Sequence, residues 1–431
     1  DDRDSYVNKR VDVAGDLLME LFKQYYRKML NECNKYFKRK NTSDATPLNC
    51  ISQIKPNTIE QGIKASLLTG KWPRRQGVAQ MIQRFSYLQF ITFFRRVDAP
   101  GGDASSSKLT SPRHLHPSSV GLLCPISTPE HAKVGLNKIM ALIASISVYQ
   151  TNQMSILKDY FKKNKKIIDI RDVLPKNLRL MTKVMLNGNW FGVTDHPLEI
   201  EKELRLKKLT GTIDGTVGIV HDVENFELRV YCDSGRLFRP VIRVENNNVK
   251  LTNSLIDTTS VNKLLKDKKI TSWNEFLLKH PDVIEYIDME EQPYIMLAAT
   301  PSDVEIERLK MVNSIDKVKD VTSNAIENRY NDMTYVKYTH CEIEPSLLLG
   351  EIPANSPYCN HNDGPRNIFY YSQARQAMGI YASNYRDRND ISYILYHPQK
   401  PLVGTRPAKF LYTDILTAGE NIVVAIMPVA G

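Results

Sequence analysis

An α+β fold of several units, mixing helices with antiparallel sheets, is what this 431-residue chain predicts. Leu17, Leu21, Phe22, Tyr25, Met29, Cys33 and Tyr36 recur at helical spacing, whereas the stretch 181–245 reads as short alternating strands separated by turn residues. The length is compatible with two to four compact units, and an apolar fraction of 42% is enough to bury real cores.

Taken in order, the first helix turns its Lys and Arg residues outward and dissolves into Lys38-Arg39-Lys40-Asn41-Thr42-Ser43. Val78, Met81, Ile82, Phe85 and Leu88 predict a second helix whose apolar stripe is most simply core, which leaves Arg84, Arg95 and Arg96 to face a ligand. From Asp98 to Ser111 the chain changes to Gly101-Gly102-Asp103-Ala104-Ser105-Ser106-Ser107, which cannot pack a core and predicts an exposed loop. A further helix is expected from about 135 to 162. Lys183-Val184-Met185-Leu186, the Asn187-Gly188 turn and Trp190-Phe191-Gly192-Val193 then give a hairpin signal, repeated around Tyr231 and Asp233-Ser234-Gly235. Plain structural sheet is the simplest reading of that block. Residues 271–300 predict a helix followed by an apolar strand, Tyr294 to Ala299.

The last helix is the most informative. Asp363 and Gly364 suit N-caps, Pro365 the first helical position, and Gly379 the left-handed position that closes a helix. Arg366 then sits in the first turn, where unpaired N–H groups and the positive end of the dipole favour an anion and a guanidinium adds a fork for phosphate oxygens. Ten residues separate it from Gln376, roughly 15 Å along a helix and about a quarter-turn around it. On periodicity alone an arginine paired with a carboxylate, or lying in solvent, is the commoner outcome.

A net charge of +10 and a pI near 9.1 favour a polyanionic partner. The excess is uneven: Lys71, Arg74, Arg75, Arg84, Arg95 and Arg96 fall in a stretch without Asp or Glu, while 281–291 is acidic. A solvated helix face explains the basic stretch equally well. Six cysteines without a Cys-x-x-Cys pair form neither a disulfide framework nor a zinc ribbon and suit a reducing compartment; Cys341, Cys359 and His361 lack ligand spacing. His114, His116, His361 and His397 have no nucleophile pattern beside them, so structural roles are expected. No apolar run approaches the ~20 residues that cross a bilayer.

His361-Asn362-Asp363-Gly364-Pro365-Arg366-Asn367, followed by Arg375-Gln376-Ala377-Met378-Gly379, resembles the hybrid-binding region of the second-largest subunit of multisubunit DNA-directed RNA polymerases, in its eukaryotic and large-DNA-virus form. Pro112-Arg113-His114-Leu115-His116 and Cys124-Pro125-Ile126-Ser127-Thr128-Pro129-Glu130 are similar to that family's fork region, with two departures: Ser127 stands where the family usually has Glu, and His131 where it has Gly. Asp1 to Ala14-Gly15, Asn187-Gly188-Asn189-Trp190, Arg229-Val230-Tyr231, Gly235 to Pro240, Ile284 to Asp288 with Glu290 and Glu291, and Tyr396 to Val403 continue the likeness in order.

The resemblance implies a protrusion part over 1–75, a fork over 76–160 with its loop at 98–111, external regions over 161–250 and 251–340, and the start of a hybrid-binding domain over 341–431. The chain opens on Asp and stops just after the apolar run Ile422 to Met427, so a piece of a longer protein is expected. The resemblance also implies DNA-templated nucleotidyl transfer, with Arg366 reaching the phosphates of the incoming triphosphate and Gln376 and Arg375 holding RNA. Arg113, Arg95 and Arg96 would face DNA at the fork, and a structural turn is expected for Glu130; a loop-fixing salt bridge is the equal alternative for Arg113. No clustered Asp motif here could hold the Mg2+ ions of this chemistry; the family keeps those aspartates on the largest subunit, so this piece alone would be silent. Implied partners are that largest subunit, accessory subunits, DNA template, nascent RNA and nucleoside triphosphates, and no membrane. The implied location is intracellular: the nucleus or, for a viral chain, a cytoplasmic replication site or the virion. A non-catalytic basic nucleic-acid-binding or assembly protein on the same scaffold is the rival from another class.

Overall fold

The structure is a computed structural model that describes residues 2–40, 51, 54–73, 75, 77–99, 110–251, 273–311 and 336–429. Helix α1 (Ala14–Lys40) contains the expected 3.6-residue stripe and packs on α2 (Asn57–Thr69). Leu21 and Met29 are buried, and the Tyr25 hydroxyl meets Ser66 Oγ at 2.9 Å. The apolar stripe is wider than α2 covers, so Leu18, Met19, Phe22, Tyr26 and Leu30 stay exposed beside the outward Lys and Arg residues. At Gly62 the helices touch closely: a Cβ there would lie 2.2 Å from the Tyr25 ring. Gly62→Ala, although better for helix propensity, is therefore expected to destabilise the α1–α2 pair by about 1–3 kcal/mol, read as faster amide exchange in both helices.

The helix expected over 78–88 is not present. Residues 77–86 are irregular, Met81 is solvent-exposed, and helix α3 (Tyr87–Phe94) begins only after Ser86, whose Oγ accepts from Gln89 N at 3.2 Å. The N-cap, rather than the apolar spacing, sets the start. Strand β1 (Arg96–Asp98) follows and pairs antiparallel with β2 (Asn137–Ile139), Arg96 opposite Ile139. Most of the Gly/Ser loop, 100–109, lies outside the described residues.

The expected helix 135–162 is also corrected. Its first half forms β2 and β3 (Ser145–Ile146), and only α4 (Thr151–Lys163) is helical. Partner strands from β1 and from a distant strand claim the β-branched residues there, a tertiary override of local propensity. A five-stranded sheet comes next: β4 (Ile168–Asp169), the short helix α5 (Pro175–Leu178), β5 (Thr182–Leu186), β6 (Asn189–Thr194), helix α6 (Pro197–Leu209), β7 (Gly218–Asp222) and β8 (Glu227–Tyr231). The strand order is β4-β6-β5-β8-β7, antiparallel except for the parallel β5–β8 pair. The β5–β6 turn uses Asn187 (φ 49°) and Gly188 (φ 78°), both left-handed as a tight primed turn requires. Helix α6 interrupts the run of strands expected over 181–245; Pro197 opens it, and Ile200 and Leu204 join Leu157 and Phe161 of α4 in one core with the sheet.

A six-stranded sheet is organised on β9 (Leu237–Glu245), which pairs with β3, β10 (Asn248–Val249), β11 (Ile284–Asp288) and β13 (His340–Cys341); β12 (Leu297–Ala298) pairs parallel with β13. Helices α7 (Trp273–Lys279) and α8 (Pro301–Met311) flank these strands in sequence. The apolar strand expected over Tyr294–Ala299 is reduced to β12, since Gln292–Tyr294 forms a 3-10 turn; β11 is the longer strand of that stretch. Strand β9 pairs with strands on both sides of residue 250: β3 and β10 before it, β11 and β13 after it.

The acidic stretch 281–291 is the electrostatic centre of this region. Glu285 takes Arg205 (3.1 Å), Arg243 (3.5 Å) and His340 (3.2 Å); Lys208 Nζ donates to both oxygens of Glu291 (3.2 and 3.1 Å); Arg236 donates to Asp288 at 2.5 Å and Arg10 to Glu290 at 3.2 Å. Burial alone would push the Glu285 carboxyl up, but the His340 hydrogen bond and the Lys208 and Arg205 charges hold it at about 2. Because this pKa is depressed on folding, its contribution is complete above the ordinary glutamate value near 4.5 and is lost as pH falls toward about 2. Glu285→Gln is thus expected to flatten the acid limb of the stability profile in that window, measured by thermal midpoints at stepped pH; an unchanged slope would reject the assignment.

Candidate functional site

The final described part holds α9 (Glu351–Asn355), α10 (Gly364–Ala374) and α11 (Arg406–Phe410). Helix α10 starts where capping logic places it. Asp363 has extended backbone (φ −62°, ψ 140°), Pro365 lies in the first turn, and the Asp363 side chain accepts no helix N–H. Buried Asn367 donates to Cys359 O at 2.8 Å, tying the turn Cys359–His361 to the helix start. The inner face is anchored by Tyr371, with Tyr370 and Ala374, against Leu88, Ile139 and Ile352.

That anchoring leaves the opposite side of the first turn in solvent. Gly364, Pro365 and Arg366 are exposed, and the Arg366 guanidinium lies 5.6 Å from the Phe369 ring centre. Among the described residues no carboxylate pairs with it. A free guanidinium beside uncapped backbone N–H groups can receive an anionic oxygen without first breaking an ion pair.

The end of the helix differs from expectation. It closes at Ala374 with Arg375 in right-handed helical conformation (φ −70°, ψ −24°), five residues before Gly379. Gly379 is absent from the positive-φ glycines. It is needed instead for close approach: it bridges to Ala418, and a Cβ on it would meet Thr417 O at 2.4 Å. Gln376 consequently lies past the helix, exposed, with its N–H donating to Gln373 O at 3.0 Å, so the straight-helix spacing from Arg366 stops short of it.

Arg375 folds back on its own helix, 4.2 Å from the Tyr371 ring centre, with Nε donating to Tyr371 O at 3.3 Å. Burial pushes the Tyr371 hydroxyl up in pKa, opposed by Arg375 and then by Arg96. Arg96 of β1 and Arg375 of α10 thus converge on one buried tyrosine from elements far apart in sequence. Arg96 also donates to Gln80 and stacks over Phe93.

Arg95 does not face a ligand. It forms an ion contact with the buried carboxylate of Glu351 and donates to Ala141 O (2.5 Å), Leu142 O (3.3 Å) and Ala144 O (3.2 Å). An arginine in ion contact with one buried acid and donating to carbonyls of the β2–β3 segment is a tie between α3, that segment and α9. Sequence reasoning had no signal for its partner, since Glu351 is 256 residues away by position and gains its meaning only from burial.

At the fork-like segment, Arg113 donates to Ala132 O (2.7 Å) and Val134 O (3.0 Å), bracing the turn that carries Glu130, which is exposed. Gly135 (φ 73°) lets this turn close on the Arg113 backbone. Ser127 is 2% exposed, donates to Cys124 Sγ at 3.1 Å and packs against Gly350. A glutamate would bury its charge at that spot, which gives the departure at 127 a physical reason. His131 is exposed, with Nδ1 accepting from Lys133 N at 3.5 Å. His116 bridges Asp2 (2.6 Å) and caps Ser118 N (3.2 Å), while His361 and His397 lie against Tyr358 and Tyr396.

Among the described residues no three His, Cys, Asp or Glu side chains gather as metal ligands, and no helix is long and apolar enough to cross a membrane. What the fold defines is therefore a basic, multi-unit scaffold with an exposed arginine, Arg366, in the first turn of a helix anchored on its opposite face.

Models of RNA polymerase Rpb2 domains match this chain in four places: domain 3 over residues 80–146, domain 4 over 184–245, domain 5 over 273–345 and domain 6 over 352–431. The DNA-directed RNA polymerase subunit 2 of Acanthamoeba polyphaga mimivirus is 45% identical across 100% of the chain and 35% of its own length. DNA-directed RNA polymerase II subunit 2 of Arabidopsis thaliana is 35% identical (100% and 34%), and subunit Rpo2 of Sulfolobus acidocaldarius 30% (100% and 35%). The chain belongs to the family of second-largest subunits of DNA-directed RNA polymerases. It spans about a third of the length of the curated relatives it matches.

Proposed function

We propose that this chain forms the part of a DNA-directed RNA polymerase that receives the triphosphate of the incoming nucleotide and holds nearby nucleic acid, while the largest subunit holds the catalytic Mg2+. The observation that carries this is Arg366: exposed, in the first turn of a helix whose inner face is rigidly packed, and unpaired with any described carboxylate. Its role is electrostatic and positional, neutralising charge on the triphosphate so that the reacting groups stay aligned. Gln376, exposed past the helix end, and Arg375 supply the RNA side. Arg96 and Arg113 contribute to DNA contacts at the fork, with Glu130 shaping its turn; Arg95 acts through the fold rather than by touching DNA.

The residue positions at 1–75, 76–160, 161–250, 251–340 and 341–431 serve as protrusion, fork, two external regions and hybrid-binding domain. The assembly works inside the cell, in the nucleus or at a viral replication site, with accessory subunits, DNA, RNA and nucleoside triphosphates as partners. The test is the nucleotide dependence of single-nucleotide addition by the assembled enzyme carrying Arg366→Ala in the full-length subunit. A higher nucleotide requirement supports the reading; an identical curve removes it.

A further inference from the structure

Between residues 158 and 166 the sequence carries five lysines against one aspartate. The fold puts this surplus on one edge of the five-stranded unit. Leu157 and Phe161 sink one face of α4 into the core, which leaves Lys158, Lys162 and Lys163 exposed, with Lys165 in the turn that follows. Helix α6 runs alongside. Tyr160 donates to Glu203 at 2.7 Å, and Lys166 bridges Glu199 and Glu203 at 2.9 Å each. One ammonium thus offsets one of the two α6 carboxylates nearest to α4, which leaves the remaining lysines of this edge in excess. Lys207 adds its ammonium 5.2 Å from the Tyr160 ring centre, and Lys202 is exposed on the same helix. Among the described residues no carboxylate pairs with Lys158, Lys162, Lys163, Lys165, Lys202 or Lys207.

Helix-dipole stabilisation accounts for Lys162 and Lys163, which lie in the last turn of α4. It does not account for Lys158, Lys165 or Lys202. Like charges collected on one face repel one another, and a polyanion relieves that repulsion with release of its counterions. Lysine is depleted from protein–protein interfaces, which argues against an acidic protein as the occupant. Tyr160 is already engaged by Lys207 and Glu203, so it is not free to stack on a base.

We propose that this α4–α6 edge binds the phosphodiester backbone of nucleic acid, independently of sequence, as a contact additional to the Arg366 region. The inference rests on membership of the polymerase family and not on the role given to Arg366. DNA and RNA share the chemistry, so the experiment separates them. A photo-crosslinker replaces Lys162 of the full-length subunit in assembled transcribing complexes in which either the DNA or the nascent RNA is labelled. Transfer to one labelled strand, lost as salt rises, is expected. In parallel, Lys158→Glu, Lys162→Glu, Lys163→Glu and Lys165→Glu together should reduce the slope of log affinity against log salt by about 3–4 for duplex, or about 3 for a single strand. The four corresponding Lys→Arg changes should retain it, with single-nucleotide addition unchanged in both sets. Crosslinks to protein only, or an unchanged salt slope, would overturn the proposal.

Discussion

Arg366→Ala in the assembled polymerase is expected to lower kcat/KM for nucleotide addition by roughly 100-fold, about 2.7 kcal/mol of lost transition-state stabilisation. The size follows from a charge-assisted contact that strengthens as charge develops on the transferring phosphates. Arg366→Lys should recover part of it, because an ammonium keeps the charge but not the planar fork. Stability should move by no more than about 0.5 kcal/mol, since the side chain is exposed and its one described contact is the Phe369 ring. Rapid-quench addition kinetics and thermal midpoints on the same preparations separate the two effects. A loss of activity accompanied by an equal loss of folded protein would argue for a structural role instead.

The second large effect lies far from that helix. Asp288→Ala is expected to cost about 3 kcal/mol, because it removes the fully buried partner of Arg236 and leaves it the part-exposed Asp233 carboxylate at 3.0 Å. Arg236 and Asp288 are each 1% exposed, 2.5 Å apart, and Asp288 also accepts the N–H groups of Glu290 (3.0 Å) and Glu291 (2.8 Å). The surroundings leave little slack: a Cβ on Gly218 would come 2.0 Å from the Asp288 carboxylate. Asp288→Asn keeps an acceptor for the two backbone groups and should cost less. Hydrogen exchange along β9 and β11 reads the change locally; protection equal to that of the unmodified protein would show that Asp233 and the Thr216 carbonyl suffice to hold Arg236.

Legibility in the sequence followed the range of the interactions involved. Helix α1, the Asn187-Gly188 hairpin and the Pro365 helix start each depend on residues within a few positions of one another, and all were readable. The stretch 135–150 was not, because its strands exist through partners at 96–98 and 237–238. Arg95 had the composition of a ligand-facing residue and the location of a structural tie, a difference created by burial of Glu351. Gly379 does not take the left-handed helix-closing position expected of it; its lack of a side chain instead admits the close approach of Thr417 and Ala418.

By itself the sequence determined the mixed α+β character, the basic balance and the order of motifs that led to the polymerase family, since these are properties of local spacing and residue chemistry. Only the tertiary structure decided which charges are available. Of the arginines expected to face ligands, Arg366 stays in solvent, Arg375 lies on Tyr371, and Arg95 is drawn to a buried acid, while the lysines of α4 gather on an open edge. Whether a charge meets water, a ring or a carboxylate depends on desolvation and on partners hundreds of residues away, and no local pattern encodes either.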